Sequence, residues 1–329
     1  MSNGSWRGRI RLRSGDAVAE ISSGGAELLR WDVAGEPLLW MPDAAIWAET
    51  APILFPVVGW TRGGGVRVGG KLYPLGLHGF ARHMQFRVAR LAEDFVRLTL
   101  DSTPDTLALY PFDFRLCVDY RLEGRSLRVG LNVTNRGPGP MPYACGLHPG
   151  FRWPLGSGGQ IRHRIIFDTK EDPYVPEITA AGLFAKTSRS VPLDGRVLEL
   201  TPELFAREAL CFLNARSQGL RFQAEDGAAL DIELEDFPHI ALWAKPPAPF
   251  LAIEFWTGHG DPDGFDGDLS AKPSMRLLRP GESACHDARF AFTPAVLGQD
   301  SGRGLAARRK SDREGRNKTH LAENGSKRD

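Results

Sequence analysis

Phe114-Arg-Leu-Cys-Val-Asp-Tyr120 and Leu127-Arg-Val-Gly-Leu-Asn-Val133 alternate apolar and polar residues over strand lengths, and Glu123-Gly124 lies between them. Side chains of a strand point to opposite faces in turn, so this pattern predicts a hairpin with one face buried. Working outward, Phe95-Val-Arg-Leu-Thr-Leu100 continues the period of two. His239–Lys245, Phe250–Trp256, Met275–Leu278 and Ala288–Phe292 are further candidate strands. The 37 glycines and 24 prolines fall mainly between these runs, where turns need them. Pro202–Leu210 is the best candidate for a short helix. Strands without intervening amphipathic helices predict an all-β fold, a large antiparallel β-sandwich rather than a βαβ architecture. No internal repeat is present.

The sandwich is expected over residues 1–297. From about Gly298 the chain turns polar and basic, with Arg308-Arg309-Lys310 and almost no large apolar residue. Such a segment buries too little surface to offset chain entropy and is expected to be a disordered, solvated tail over 298–329. With 41 basic and 40 acidic side chains, the chain lacks the basic excess that nucleic acid or an anionic membrane favours. No run approaches the roughly 18 apolar residues that span a bilayer. Met1 to Gly15 does not have the form of a signal peptide. Cys117, Cys145, Cys211 and Cys285 are widely spaced and form no CxxC pair, which fits reduced, mostly buried thiols of a cytoplasmic protein. The Asn-Val-Thr at Asn132 is then a chance sequon.

Among eight histidines, His148 follows an apolar segment, and Pro149-Gly150 turns the chain after it. His78 follows the Gly-rich stretch Gly63 to Gly70. Either histidine, taken singly, is better explained as a structural ring with a satisfied hydrogen bond. Glu254 is the odd residue. It interrupts the wholly apolar run Phe250-Leu-Ala-Ile-Glu-Phe-Trp256, on the same face as Ala252 and Trp256. A carboxylate there must be paired, hydrogen-bonded or functional, because burying it alone is very costly. A salt bridge to an arginine is the plain alternative. Trp243 and Trp256 supply flat apolar faces of the kind sugar rings stack on, although core packing explains any one tryptophan.

These pieces together resemble the aldose 1-epimerase (galactose mutarotase) family. The resemblance is carried by Gly24-Gly-Ala-Glu-Leu28, by Trp47-Ala-Glu-Thr-Ala-Pro-Ile-Leu-Phe-Pro-Val-Val-Gly59 and by Leu77-His-Gly-Phe-Ala-Arg82. It continues through Gly146-Leu-His-Pro-Gly-Phe151, Leu242-Trp-Ala-Lys-Pro246, Ile253-Glu-Phe-Trp256, Gly267-Asp-Leu269 and Leu278-Arg-Pro-Gly-Glu282. Each motif is short, and their order and spacing make the match, which is nearest the short bacterial branch. The resemblance implies a β-sandwich with a concave sugar-binding face, acting as a mutarotase without metal or other cofactor. By motif, Glu254 corresponds to the family's base, His148 to its acid and His78 to a substrate-binding histidine. Glu208 falls roughly where the family has a sugar-binding aspartate. Where the family usually carries a sugar-contacting arginine after Phe55-Pro-Val-Val-Gly59, this chain has Trp60, with Arg62 two residues on.

Three functions follow as expectations. The first is mutarotation of a free aldose by acid–base ring opening. The second is the same reaction on a hexose 6-phosphate, with Arg62, Arg82 and Lys245 as the anion site. The third is a catalytically silent sugar-binding or regulatory protein on the same fold. Arg82 is equally a partner for a buried carboxylate. The acidic run Asp261-Pro-Asp-Gly-Phe-Asp-Gly-Asp268 is better explained as a solvated turn than as a calcium loop, because Phe265 breaks the alternate-oxygen spacing. No GxSxG or HExxH motif points to a hydrolase. The partner is thus a small sugar or sugar phosphate, and the oligomeric state is not legible.

Overall fold

The computed structural model describes residues 8–156 and 161–295. Its main layer is a nine-stranded sheet with Ser283–Thr293 at the centre, flanked by Ala229–Glu235 on one side and Ser126–Asn135 on the other. Every pairing in it is antiparallel. The predicted hairpin forms with Glu123 opposite Ser126. Along Phe114–Glu123 the residues Phe114, Leu116, Val118, Tyr120 and Leu122 are buried. Their neighbours face solvent, where Arg97–Asp119 and Arg115–Asp101 make cross-strand ion pairs. Such exposed pairs are worth about 0.2–1 kcal/mol each, so the buried face decides the register.

A second, smaller sheet lies across the core. It contains Leu210–Phe212, His239–Trp243, Phe250–Trp256, Gly146–Leu147 and Ile53–Leu54 in that order, with Gly150–Arg152 also pairing Phe250–Trp256. The two layers meet through Phe290 of the large sheet, whose ring lies 6.1 Å from Phe255 and 5.7 Å from Phe151. Trp31, from a four-stranded sheet near the N-terminus, closes the same cluster. This is the antiparallel β-sandwich that period-two patterning predicts.

The short-helix expectation needs correction. Only Pro202–Phe205 is helical, as a single 3-10 turn, and at Glu208 the backbone turns to a positive φ of 72°. The α-helix among the described residues is Pro104–Leu109. Thr103 caps it by accepting from the Thr106 N–H, and Pro104 occupies its first position. Two of the four cysteines, Cys145 and Cys211, are buried, whereas Cys285 is exposed. The expected tail lies outside the described residues. No helix among the described residues is long and apolar enough to cross a membrane.

Candidate active site

Strand Phe250–Trp256 carries Leu251, Ile253 and Phe255 into the main core. Its other face presents Glu254 and Trp256 to a cleft of about 990 Å³. On one side the strand pairs along His239–Trp243, with Ala241 opposite Glu254. On the other side the ladder is broken. Gly146–Leu147 pairs with Phe255–Trp256 and Gly150–Arg152 pairs with Phe250–Ala252, so His148-Pro149 lies between the two paired pieces. Pro149 has no N–H to continue the ladder, and its carbonyl accepts from Ile253 instead. The interruption sets His148 beside Glu254.

The two side chains touch. His148 Nε2 is 3.1 Å from Glu254 Oε1, and Trp256 Nε1 donates to Glu254 Oε2 at 3.0 Å. Both residues are buried. Burial pushes the Glu254 carboxyl well above its ordinary range. It pushes the His148 imidazole down to about 3. The two shifts act in the same sense: the pair rests with one proton and no net charge.

His148 is held from below by Trp47, whose ring lies 5.1 Å away and also packs on Phe250. Gly150 makes this possible, because a Cβ there would lie 2.5 Å from the Trp47 ring. His78 meets His148 at right angles, with the ring centres 5.5 Å apart. Its Nδ1 accepts from the Gly59 N–H at 3.1 Å, so the ring proton sits on Nε2 and His78 is a donor. Burial, and then His148 and Arg82 nearby, hold His78 neutral by lowering its pKa well below the usual value. His78 and Glu208 both line the cleft, at positive φ values of 62° and 72°. Such backbone persists only where the surroundings enforce it. His78 is secured by paired bonds to Gly59, and Glu208 by Arg189, which donates to the Glu208 and Ala209 carbonyls.

Of the eight residues expected at the site, seven line this one cleft: His78, Arg82, His148, Glu208, Trp243, Glu254 and Trp256. Arg62 does not line it. The Arg62 backbone N–H donates to Asp261 Oδ2, and its guanidinium lies 3.5 Å from the Phe265 carbonyl. Trp60 lines the cleft where the arginine was expected, with its indole against Gly182. Lys245 also lies off the main cleft, with its ammonium on the Ile46 carbonyl at 3.1 Å. Arg82 is in the cleft but committed to Glu49 at 2.9 Å.

Sequence reasoning did not single out Trp47, Glu27 and Glu49 as site residues, although all three sit within quoted motifs. Nor did it single out Ile178 to Gly182 or Phe184, which form one cleft wall. That wall carries no pattern a linear reading would notice. In the acidic run, Asp261 pairs with the buried Lys272 at 2.9 Å and Asp268 bonds its own turn through Ser270. Among the described residues no three His, Cys, Asp or Glu side chains converge to hold a metal ion.

A family model described as aldose 1-epimerase matches residues 8–197. The chromosomal protein LacX of Lactococcus lactis subsp. lactis is 32% identical over 284 residues, covering 82% of this chain and 95% of that protein. The chain belongs to the aldose 1-epimerase family. Among solved structures, this family member resembles a galactose mutarotase related enzyme from Lactobacillus acidophilus, with 25% identity and a TM-score of 0.82. That match covers 88% of this chain and 99% of the other. A galactose mutarotase-like protein from Lactobacillus casei aligns with 27% identity and the same TM-score, over 87% of this chain and all of that one. The His148–Glu254 contact therefore sits in the cleft of an aldose 1-epimerase family sandwich.

Proposed function

We propose that this protein is a mutarotase that interconverts the α and β anomers of a free aldose. Glu254 takes the proton of the anomeric hydroxyl, and His148 delivers a proton to the ring oxygen. The bond from C1 to the ring oxygen breaks, the open aldehyde rotates about C1–C2, and the ring recloses on the other face. The reverse transfers return both protons, so neither redox chemistry nor a net change in protonation is required. Each well-placed proton transfer contributes roughly 10²–10⁴-fold.

The observation that carries this reading is the direct His148 Nε2–Glu254 Oε1 contact in the wall of the cleft. Moving one proton from the carboxyl to the imidazole converts the neutral resting pair into the base and acid the reaction needs. A hemiacetal seated in the cleft against this pair presents its hydroxyl to Glu254 and its ring oxygen to His148. His78, fixed as an Nε2–H donor, adds a hydrogen bond to an oxygen at the reacting carbon. Free sugars are favoured over 6-phosphates because Glu49 already neutralises Arg82. Arg62 and Lys245, the other cations of an anion site, are engaged off the main cleft.

The test is an anomerisation assay by polarimetry or exchange NMR over free and 6-phosphorylated aldoses. Acceleration of a free aldose is expected. No acceleration of any aldose would overturn the reading in favour of a silent sugar-binding protein.

A further inference from the structure

Trp243 and Glu208 line two cavities. One is the cleft that holds Glu254 and His148. The other is a separate groove of about 480 Å³, bounded also by Phe205, Ala206, Lys245 and Pro246. The Trp243 ring is close to the proposed chemistry, with its centre 5.9 Å from that of His148. The groove therefore opens about one aromatic ring away from the reacting atoms. The main cleft alone, at about 990 Å³, sits at the upper end of small-molecule sites and far exceeds what one pyranose needs.

The groove has the chemistry of a sugar subsite. Trp243 offers apolar ring surface, with the buried Phe205 lining the same groove, and Glu208 offers carboxylate oxygens to hydroxyl groups. The Lys245 ammonium has three donors, one of which goes to the Ile46 carbonyl. A phosphate is disfavoured, because Glu208 would face it as a like charge. Glu208 is also held in its unusual backbone conformation by the two Arg189 bonds, so the wall shared by both cavities is built rather than incidental.

We propose that the groove beside Trp243 and Lys245 is a second sugar subsite, and that the preferred substrate is the reducing end of a disaccharide or longer glycan. This rests on the mutarotase reading: the reducing ring lies between Glu254 and His148, and the next ring passes Trp243 into the groove.

The experiment measures kcat/KM for anomerisation of glucose, cellobiose and maltose, which share a glucose reducing end, using the full chain. At least one disaccharide should exceed glucose by roughly tenfold, the scale of one stacked ring or one charged hydrogen bond. Ala206→Trp, at an exposed position of the groove, should fill it and remove that advantage while leaving glucose unchanged. Lys245→Met, a milder change at an exposed residue, should remove part of the advantage and decides the matter if Ala206→Trp does not fold. Glucose turned over as well as either disaccharide would overturn the subsite alone, as would an advantage that survives both substitutions. Failure to turn over all three sugars would overturn the subsite as stated, and failure with every free aldose would overturn the mutarotase reading as well.

Discussion

At the level of single residues, Glu254 is set apart by burial without an arginine. Its partners are an imidazole and an indole N–H, and neither brings a fixed positive charge to the carboxyl. Glu254→Gln keeps the shape, and its amide oxygen can still accept from Trp256, but it cannot take a proton. Turnover should fall roughly 10²-fold or more, with the melting temperature within a few degrees of the parent. Had Glu254 been half of a buried ion pair, losing its charge would cost about 3–5 kcal/mol instead, so measuring melting temperature beside turnover separates the two roles. Full activity in a folded Glu254→Gln protein would end the mechanism. His148→Asn should also slow turnover, and the double variant should lose less than the sum of the two, because the residues act as a unit.

The same pair predicts the pH profile. The active state carries one proton between two groups. Acid adds a second proton as His148 titrates, at about 3, and abolishes the base. Alkali removes the last proton, and because Glu254 is raised, that limb lies well above the ordinary carboxylate range. A plot of kcat/KM against pH should thus show no acid limb near the usual histidine value of about 6.5, holding its level toward about 3, and should fall on the alkaline side as Glu254 loses its proton. Activity that falls with acid through that value would show that His148 titrates as a solvated imidazole and would contradict the buried neutral pair.

At the level of elements, the strands were legible because alternation is local and strong. Phe250–Trp256 forms with the bounds that its apolar run suggests, and Phe114–Glu123 extends the predicted strand by three residues. The helix was less legible. Pro202–Leu210 has suitable composition, but the chain turns at Glu208 to line the cleft. Pro104–Leu109 is too short to show periodicity and is held by its cap. The turn carrying His78 is equally specific. Gly79 has a positive φ of 74°, and a Cβ there would lie 2.2 Å from the Phe55 carbonyl oxygen, which accepts from Phe80 and Ala81. Gly79→Ala should therefore cost roughly 1–3 kcal/mol. Turnover of the fraction that remains folded should fall as well, because His78 is the preceding residue. Thermal melts and activity corrected for folded fraction check both parts, and an unperturbed melt would refute the packing argument.

At the level of the whole molecule, the cleft draws on segments scattered along the chain, and its electrostatics depend on which of them meet. Glu49, from a loop, and Arg82, from the 3-10 turn Ala81–His83, pair at 2.9 Å within the cleft. Glu49→Gln should release the Arg82 guanidinium and tighten binding of a hexose 6-phosphate by roughly tenfold, the scale of one charge-assisted contact. Binding of the free hexose should change little. Calorimetric titration of both sugars measures the difference, and equal effects would show that the pair serves only to hold the loops.

The sequence by itself determined the antiparallel sandwich, the motif order that marks the family, and Glu254 as a carboxylate out of place. Each of these is written in neighbouring residues, where alternation and composition act directly. Only the tertiary structure decided that His148 touches Glu254, that Trp47 supports His148 through the space left at Gly150, and that Glu49 occupies Arg82. It also decided that Trp60, not Arg62, lines the cleft. These are contacts between residues distant in the chain, and such contacts depend on the distances and dielectric that exist only once the two layers have closed.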